Sequence, residues 1–206
     1  MNKFVMTAAV LGALAFASNV AATGDAAAGQ KKAASTCAAC HGADGNSASP
    51  QFPKLAGQNA DYIVKQLQDF KSGKRQNPIM SGMAAGLSEQ DMQNVAAWFS
   101  SQKVQTGEAD PGLVKAGEAL YRGGDKGAQI PACSACHGPD GAGNAPMVVP
   151  ALAGQHADYV IAQLKAFASG ARKSPMMDTI AARLNDSQMK AVASYIQGLH
   201  QTPVQQ

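Results

Sequence analysis

The chain has 206 residues, with 17 basic and 14 acidic side chains and a formal net charge of +3. This length gives room for one large domain or two small ones. The sequence contains no basic run and no basic stripe interleaved with aromatic residues. It therefore predicts that nucleic acid is not a partner.

The first residues have the pattern of an export signal. Lys3 supplies a short positive region, Phe4 to Phe16 form an apolar run, and Val20-Ala21-Ala22 is a small-residue cleavage site. The apolar run is shorter than the ~20 residues that a membrane span needs. We predict a cleaved signal peptide over residues 1–22 and a secreted, soluble, periplasmic protein. The alternative is an uncleaved signal anchor.

Two copies of one pentapeptide follow, Cys37-Ala38-Ala39-Cys40-His41 and Cys133-Ser134-Ala135-Cys136-His137. C-x-x-C-H is the attachment signature of a c-type haem. Its two thiols can each form a thioether to the porphyrin edge, and the adjacent imidazole can then reach the iron. The chain has no other cysteine. We predict two covalently bound haem c groups, held by Cys37, Cys40, Cys133 and Cys136, with His41 and His137 as proximal iron ligands.

The two halves of the chain are copies of each other. Pro53-Lys54-Leu55-Ala56-Gly57-Gln58 matches Pro150-Ala151-Leu152-Ala153-Gly154-Gln155 at an offset of 97 residues, and the haem motifs are 96 residues apart. The second half holds an additional glycine-rich loop over residues 122–129. The predicted units are an N-terminal domain (23–102), a linker (103–112), a C-terminal domain (113–200) and a flexible tail (201–206).

Each half shows helical patterns and no alternating strand pattern. Residues 62–72 have apolar residues at helical spacing and are followed by Gly73, a C-cap glycine. Ser88 with Asp91 resembles a capping box ahead of an apolar helix face, and Asn185 is the matching cap in the second half. The predicted fold class is all-α, with two small domains whose thin cores a haem would complete.

The sixth iron ligand decides function, because a methionine sulfur closes the iron whereas a vacant position admits a ligand or substrate. Two methionine pairs recur at the offset of 97, Met80 with Met177 and Met92 with Met189. Met92 and Met189 lie on the apolar stripe of the last helix of each half, which is typical of core residues.

Met80 and Met177 each stand two residues after a proline, in a stretch without helical period. We predict that this stretch is a loop able to point the side chain at the iron, and that Met80 and Met177 are the axial ligands. Met83 and Met176 are the alternatives, each lacking a methionine at the matching position. His156 and His200 also lack matching histidines, and we predict surface or capping roles for them.

Several of these features together resemble the cytochrome c4 family. They are the paired C-x-x-C-H motifs, the repeated Pro-x-Leu-Ala-Gly-Gln, the Arg-Gly-Gly loop before the second motif and the ending Tyr195-Ile196-Gln197-Gly198-Leu199-His200. The resemblance implies two tandem class I cytochrome c domains, each wrapped round its haem and related by a pseudo-twofold axis. It also implies His/Met ligation at both irons, with the carbonyls of Pro53 and Pro150 orienting the proximal histidines. One departure is Met177-Asp178-Thr179, where the first half has Met80-Ser81-Gly82.

The leading hypothesis is that the protein is not an enzyme but a dihaem electron carrier. The resemblance suggests a quinol-oxidising complex as donor and a terminal oxidase as acceptor, with a monomeric protein that can associate peripherally with the membrane. The alternatives are a dihaem redox enzyme, such as a peroxidase or a thiosulfate-oxidising protein, and the cytochrome subunit of a sulfur-compound-oxidising complex. A zinc site or a pair of redox disulfides would also use two C-x-x-C motifs, but each repeat has its own self-contained motif and no βαβ pattern is present.

Overall fold

The computed structural model describes residues 24–201. The predicted signal peptide and residues 202–206 of the predicted tail lie outside the described residues. Within that range the chain forms ten α-helices and one 3₁₀ turn, and its only β-type pairings are two isolated bridges. The helices are α1 (Ala26–Thr36), α2 (Ala38–His41), α3 (Ala60–Lys71), α4 (Pro78–Ala85), α5 (Glu89–Ser100), α6 (Pro111–Gly123), α7 (Ser134–His137), α8 (Ala157–Ala168), α9 (Pro175–Ala181) and α10 (Asp186–Gly198).

The same helix arrangement occurs twice. In the first half α1 packs against α5, and α3 packs against α4 and α5. In the second half α6 packs against α10, and α8 packs against α9 and α10. The predicted all-α fold of two tandem domains is confirmed. Helix α6 begins at Pro111 and so takes in the last two residues of the predicted linker. No helix between residues 24 and 201 has the length and apolarity to cross a membrane.

A glycine allows the first and last helices of each domain to cross closely. A Cβ on Gly29 of α1 would lie 1.9 Å from the Asn94 carbonyl oxygen of α5. A Cβ on Gly117 of α6 would lie 2.2 Å from the Ala191 carbonyl oxygen of α10. Because neither distance is possible for a real side chain, both crossings require glycine.

The predicted caps hold the last helix of each domain. Ser88 and Asp91 form a reciprocal capping box at the start of α5, as predicted. Asn185 caps α10, also in a capping box. Helix α3 starts two residues before the prediction, and Gly73 follows its end with φ +76°. Met92 and Met189 are buried in the cores, as predicted.

Paired hydrogen bonds join the two domains. The Arg75 guanidinium donates to the Tyr159 hydroxyl at 3.0 Å and to Gln163 Oε1 at 2.9 Å. At the matching positions, Arg172 donates to the Tyr62 hydroxyl at 2.7 Å and to Gln66 Oε1 at 2.9 Å. Such reciprocity, in which each residue meets the counterpart of its own partner, is what twofold symmetry produces.

Candidate haem sites

Each C-x-x-C-H motif occupies a single helical turn. Cys37 is the N-cap of α2, and the His41 amide donates to the Cys37 carbonyl at 3.0 Å. In the second domain the His137 amide donates to the Cys133 carbonyl at 2.9 Å at the start of α7. Both turns therefore hold two cysteines and a histidine in the same backbone arrangement.

The two motif histidines are buried, and their ring orientation is fixed. His41 Nδ1 lies 2.9 Å from the Pro53 carbonyl oxygen, and His137 Nδ1 lies 3.0 Å from the Pro150 carbonyl oxygen. A carbonyl can only accept, so Nδ1 carries the proton and the lone pair of Nε2 remains for a metal. Burial lowers the pKa of both histidines, which keeps the imidazoles in the neutral form that binds iron.

The first cysteine of each motif lies in an apolar environment. Cys37 and Leu55 pack against the core cluster of the first domain, and Cys133 and Leu152 pack against that of the second. Burial raises the pKa of each of these two thiols to about 11. An uncharged sulfur is favoured at both places, and this suits a neutral thioether to a porphyrin.

The loops predicted around Met80 and Met177 are wrong, because both residues lie in the first turn of a helix. Helix α4 begins at Pro78 and α9 at Pro175. The Asn77 side chain accepts from the Met80 amide at 3.0 Å, and the Ser174 hydroxyl accepts from the Met177 amide at 3.4 Å. A helix of two turns is too short to show a hydrophobic period, and proline at its first position favours rather than prevents it.

Burial separates the methionine candidates. Met80 and Met177 are half-buried, and Met177 packs against the core cluster that also contacts Cys133. Met83 is 39% exposed and Met176 is 62% exposed. The alternatives thus face solvent more than the predicted ligands do, and the assignment of Met80 and Met177 stays a prediction.

The repeated hexapeptide does more than supply a proline. Gly57 and Gly154 adopt φ of +68° and +71°, the left-handed region that glycine favours. The turn then places Gln58 and Gln155, both buried, against the backbone of the opposite domain. No role was predicted for the two glutamines, although their recurrence at the end of both hexapeptides was an available signal.

His156 also belongs to the domain interface. It is the N-cap residue of α8, and its Nε2 lies 2.9 Å from both the hydroxyl and the carbonyl oxygen of Ser47 in the first domain. His200 is exposed, and its Nδ1 lies 3.1 Å from the Thr106 hydroxyl. The exposed position of His200 agrees with its predicted surface role. His156 stands at an N-cap position, but its side chain does not cap the helix and instead contacts the other domain, which was not predicted.

Comparison with known proteins decides the family. The cytochrome c family model matches residues 26–103 and again residues 114–200. A cytochrome c4 from Azotobacter vinelandii is 49% identical, over 97% of this chain and 100% of the relative. The chain belongs to the cytochrome c4 family. The crystal structure of reduced recombinant cytochrome c4 from Pseudomonas stutzeri superposes with a TM-score of 0.82 at 49% identity, covering 86% of this chain and 100% of that one.

Family membership supplies the cofactor, and the residues fit it. The protein is a dihaem c-type cytochrome of an electron-transfer family, with two covalently bound haem c groups. In each domain, a buried neutral imidazole and a first cysteine in an apolar environment fit such a haem. A further relative, the thiosulfate dehydrogenase electron acceptor of Stutzerimonas stutzeri, is 42% identical over 84% of this chain and 83% of its own length.

Proposed function

We propose that the protein is a periplasmic electron carrier that passes single electrons from a quinol-oxidising complex to a terminal oxidase or another acceptor. His41 with Met80, and His137 with Met177, are the axial pairs in this proposal. Haem supplies one-electron exchange between ferric and ferrous iron. The protein acts as a monomer, and any membrane association is peripheral.

One observation carries the proposal: each domain holds the same complete set of candidate ligands. A neutral imidazole is fixed by a proline carbonyl at 2.9 Å in one domain and 3.0 Å in the other. A half-buried methionine stands at the third residue of a capped helix in each. This duplication supports two closed irons rather than one closed iron and one open catalytic iron.

The protein residues hold each ligand with little freedom. The carbonyls of Pro53 and Pro150 fix the histidine rings, and the caps Asn77 and Ser174 fix the first turns that carry the methionines. A histidine and a methionine held in this way would limit rearrangement at a bound haem iron when its charge changes. Together they would leave no coordination position for a substrate, which favours a carrier over an enzyme.

The experiment is a spectroscopic redox titration of the purified protein. We expect two one-electron steps and low-spin spectra with methionine ligation at both irons in both oxidation states. A high-spin signal from half of the haem, or a step that takes up two electrons at once, would contradict the proposal.

A second donor is favoured by the similarity to a thiosulfate dehydrogenase electron acceptor. In this alternative the same two sites receive electrons from a sulfur-compound-oxidising enzyme. Rapid-mixing measurements with a reduced quinol-oxidising complex and with a thiosulfate-reduced dehydrogenase distinguish the two. Faster reduction by the quinol-oxidising complex supports the first donor, and faster reduction by the dehydrogenase supports the second.

A further inference from the structure

Each of the two buried interface glutamines pairs with the backbone of one residue in the opposite domain. Gln155 Oε1 accepts from the Lys54 amide at 2.9 Å, and Gln155 Nε2 donates to the Lys54 carbonyl at 2.9 Å. Gln58 Oε1 accepts from the Ala151 amide at 2.8 Å, and Gln58 Nε2 donates to the Ala151 carbonyl at 3.0 Å. All four residues are at most 9% exposed, so water does not compete for these bonds.

The Lys54 amide belongs to the same peptide group as the Pro53 carbonyl. That carbonyl accepts from His41 Nδ1 at 2.9 Å, while the amide at the other end donates to Gln155. A single planar peptide therefore connects the proximal histidine of the first domain to a side chain of the second.

A matching connection links the proximal histidine of the second domain to a side chain of the first. The Pro150 carbonyl accepts from His137 Nδ1 at 3.0 Å, and the Ala151 amide of the same peptide donates to Gln58 at 2.8 Å. Both chains of hydrogen bonds have the same order of groups: imidazole, peptide, then the carboxamide of the opposite domain.

Two hydrogen bonds that share a peptide group strengthen one another, because each bond polarises that peptide. A carboxamide oxygen on the peptide N–H makes the carbonyl oxygen at the other end a stronger acceptor. The stronger acceptor draws the Nδ1 proton away from the imidazole and makes Nε2 a better electron donor. A better donor favours ferric over ferrous iron and lowers the reduction potential.

We propose that Gln155 and Gln58 are positioning residues that each tune the reduction potential of the haem in the opposite domain through the peptide that holds its proximal histidine. The inference rests on the proposed function, because it takes His41 and His137 as iron ligands. It adds a route by which each domain sets the potential of the other without contacting its haem ligand.

The test replaces each glutamine by methionine, which keeps the side-chain length and removes the carboxamide. Q155M raises the potential of the N-terminal haem, and Q58M raises that of the C-terminal haem. We expect the loss of this polarisation to change the equilibrium constant for reduction of the affected haem by roughly two- to fivefold. For a one-electron couple at 59 mV per tenfold, this is a shift of about 20–40 mV. The two haems are followed separately by their proton resonances in the intact dihaem protein.

We call the series of hydrogen bonds from imidazole through peptide to carboxamide the relay. Matched controls remove an interface hydrogen bond outside it. Y62F and Y159F each lose one hydroxyl that accepts across the interface, at 2.7 and 3.0 Å, without a change in charge. We expect neither variant to shift the reduction potential of one haem selectively. A second readout is the His41 Nδ1 proton resonance of the reduced protein, which moves upfield in Q155M and stays in Y159F.

The haem at which the reduction potential shifts distinguishes the relay from a purely structural role of the glutamines. A shift at the haem opposite the substituted glutamine, absent from the tyrosine variants, supports the relay. Equal shifts at both haems, or the same shift in Y62F and Y159F, assign the glutamines a purely structural role and overturn it. If wild-type spectra show His/Met ligation at both irons and no crossed shift follows, only the relay fails. If they lack histidine ligation at an iron, the proposed function fails as well.

Discussion

At the scale of single residues, helix caps support the two methionines that we predict as iron ligands. Asn77 and Ser174 accept from the amides of Met80 and Met177 and so fix the backbone that carries each sulfur. The caps thus set the direction in which a half-buried side chain leaves its helix. An axial methionine in a capped first turn has fewer conformations to lose than one in an open loop.

Replacing Met177 by alanine tests the predicted ligand directly. We expect one of the two haems to become high-spin, to bind carbon monoxide when reduced and to shift to a lower potential, because a soft thioether ligand stabilises ferrous iron. The matched control is M176A, which truncates the 62% exposed neighbour. Optical spectra and potentiometry are the measurements. A low-spin spectrum at both irons in M177A would contradict the assignment.

His156 gives the interface a dependence on pH. Burial lowers its pKa from the ordinary value of 6.5, assisted by the charge of Lys54, while the Ser47 carbonyl and Asp158 act in the opposite direction. In the unfolded chain, His156 therefore becomes protonated at a higher pH than in the folded chain. The free energy of unfolding should fall as the pH drops below about 6.5 and level off below the folded pKa.

The variant H156N isolates this contribution, because asparagine stands at the matching position, Asn59, and cannot titrate. We expect the free energy of unfolding of H156N to change less between pH 7 and pH 5 than that of the wild type. Denaturant titrations at the two pH values measure the difference. Identical pH dependence in both proteins would assign it to other groups.

At the scale of elements, the close helix crossings are the most demanding feature of each domain. A Cβ on Gly117 would meet the Ala191 carbonyl oxygen at 2.2 Å, so α6 and α10 must separate to accept alanine. Overpacking of this kind costs about 1–3 kcal/mol. We expect G117A to lower the free energy of unfolding by that amount, measured by denaturant titration.

Gly123 in the same helix provides the control. A Cβ there would have no atom within 4 Å. G123A should leave the free energy of unfolding unchanged or raise it by up to about 1 kcal/mol, since alanine is the better helix former. If G117A proved as stable as G123A, the crossing would not require glycine.

The same elements show what the sequence could predict. The caps at Ser88 and Asn185 could be predicted, because their side chains form hydrogen bonds with backbone groups only three residues away. Helices α4 and α9 were not predicted, because two turns are too short for a period to appear, although a cap residue followed by proline, Asn77-Pro78 and Ser174-Pro175, was an available signal. The crossing role of Gly29 and Gly117 was also missed, since the partner carbonyls lie far along the chain.

At the scale of the whole molecule, duplication explains both the domains and the contact between them. The offset of 97 residues identified two domains, and the C-x-x-C-H motifs identified their cofactor. The sequence repeat did not reveal which of the repeated residues face each other across the domain interface. Reciprocal pairs such as Arg75 with Tyr159, and Arg172 with Tyr62, follow from the orientation of the two copies, which no local pattern specifies.

Removing one arginine should loosen this interface. In R172M the Tyr62 hydroxyl and Gln66 lose their donor from the opposite domain. Hydrogen bonds from charged groups contribute about 1.5–3 kcal/mol each, and half-burial places this pair at the lower end. We expect the free energy of unfolding to fall by about 1.5–3 kcal/mol in denaturant titrations.

The control for R172M is K165M, which breaks the exposed ion pair of Lys165 with Asp186 in the same domain. Exposed pairs contribute about 1 kcal/mol or less. A larger loss in K165M than in R172M would contradict the importance assigned to the arginine contacts.

The central claim is that both irons are closed by a histidine and a methionine, so that the protein carries electrons and offers no position to a substrate. Exposure of the reduced, natively folded protein to carbon monoxide tests it most directly. We predict an absorption spectrum unchanged at both haems. Uptake of one or two molecules of carbon monoxide per chain would contradict the claim and indicate an open or weakly closed iron.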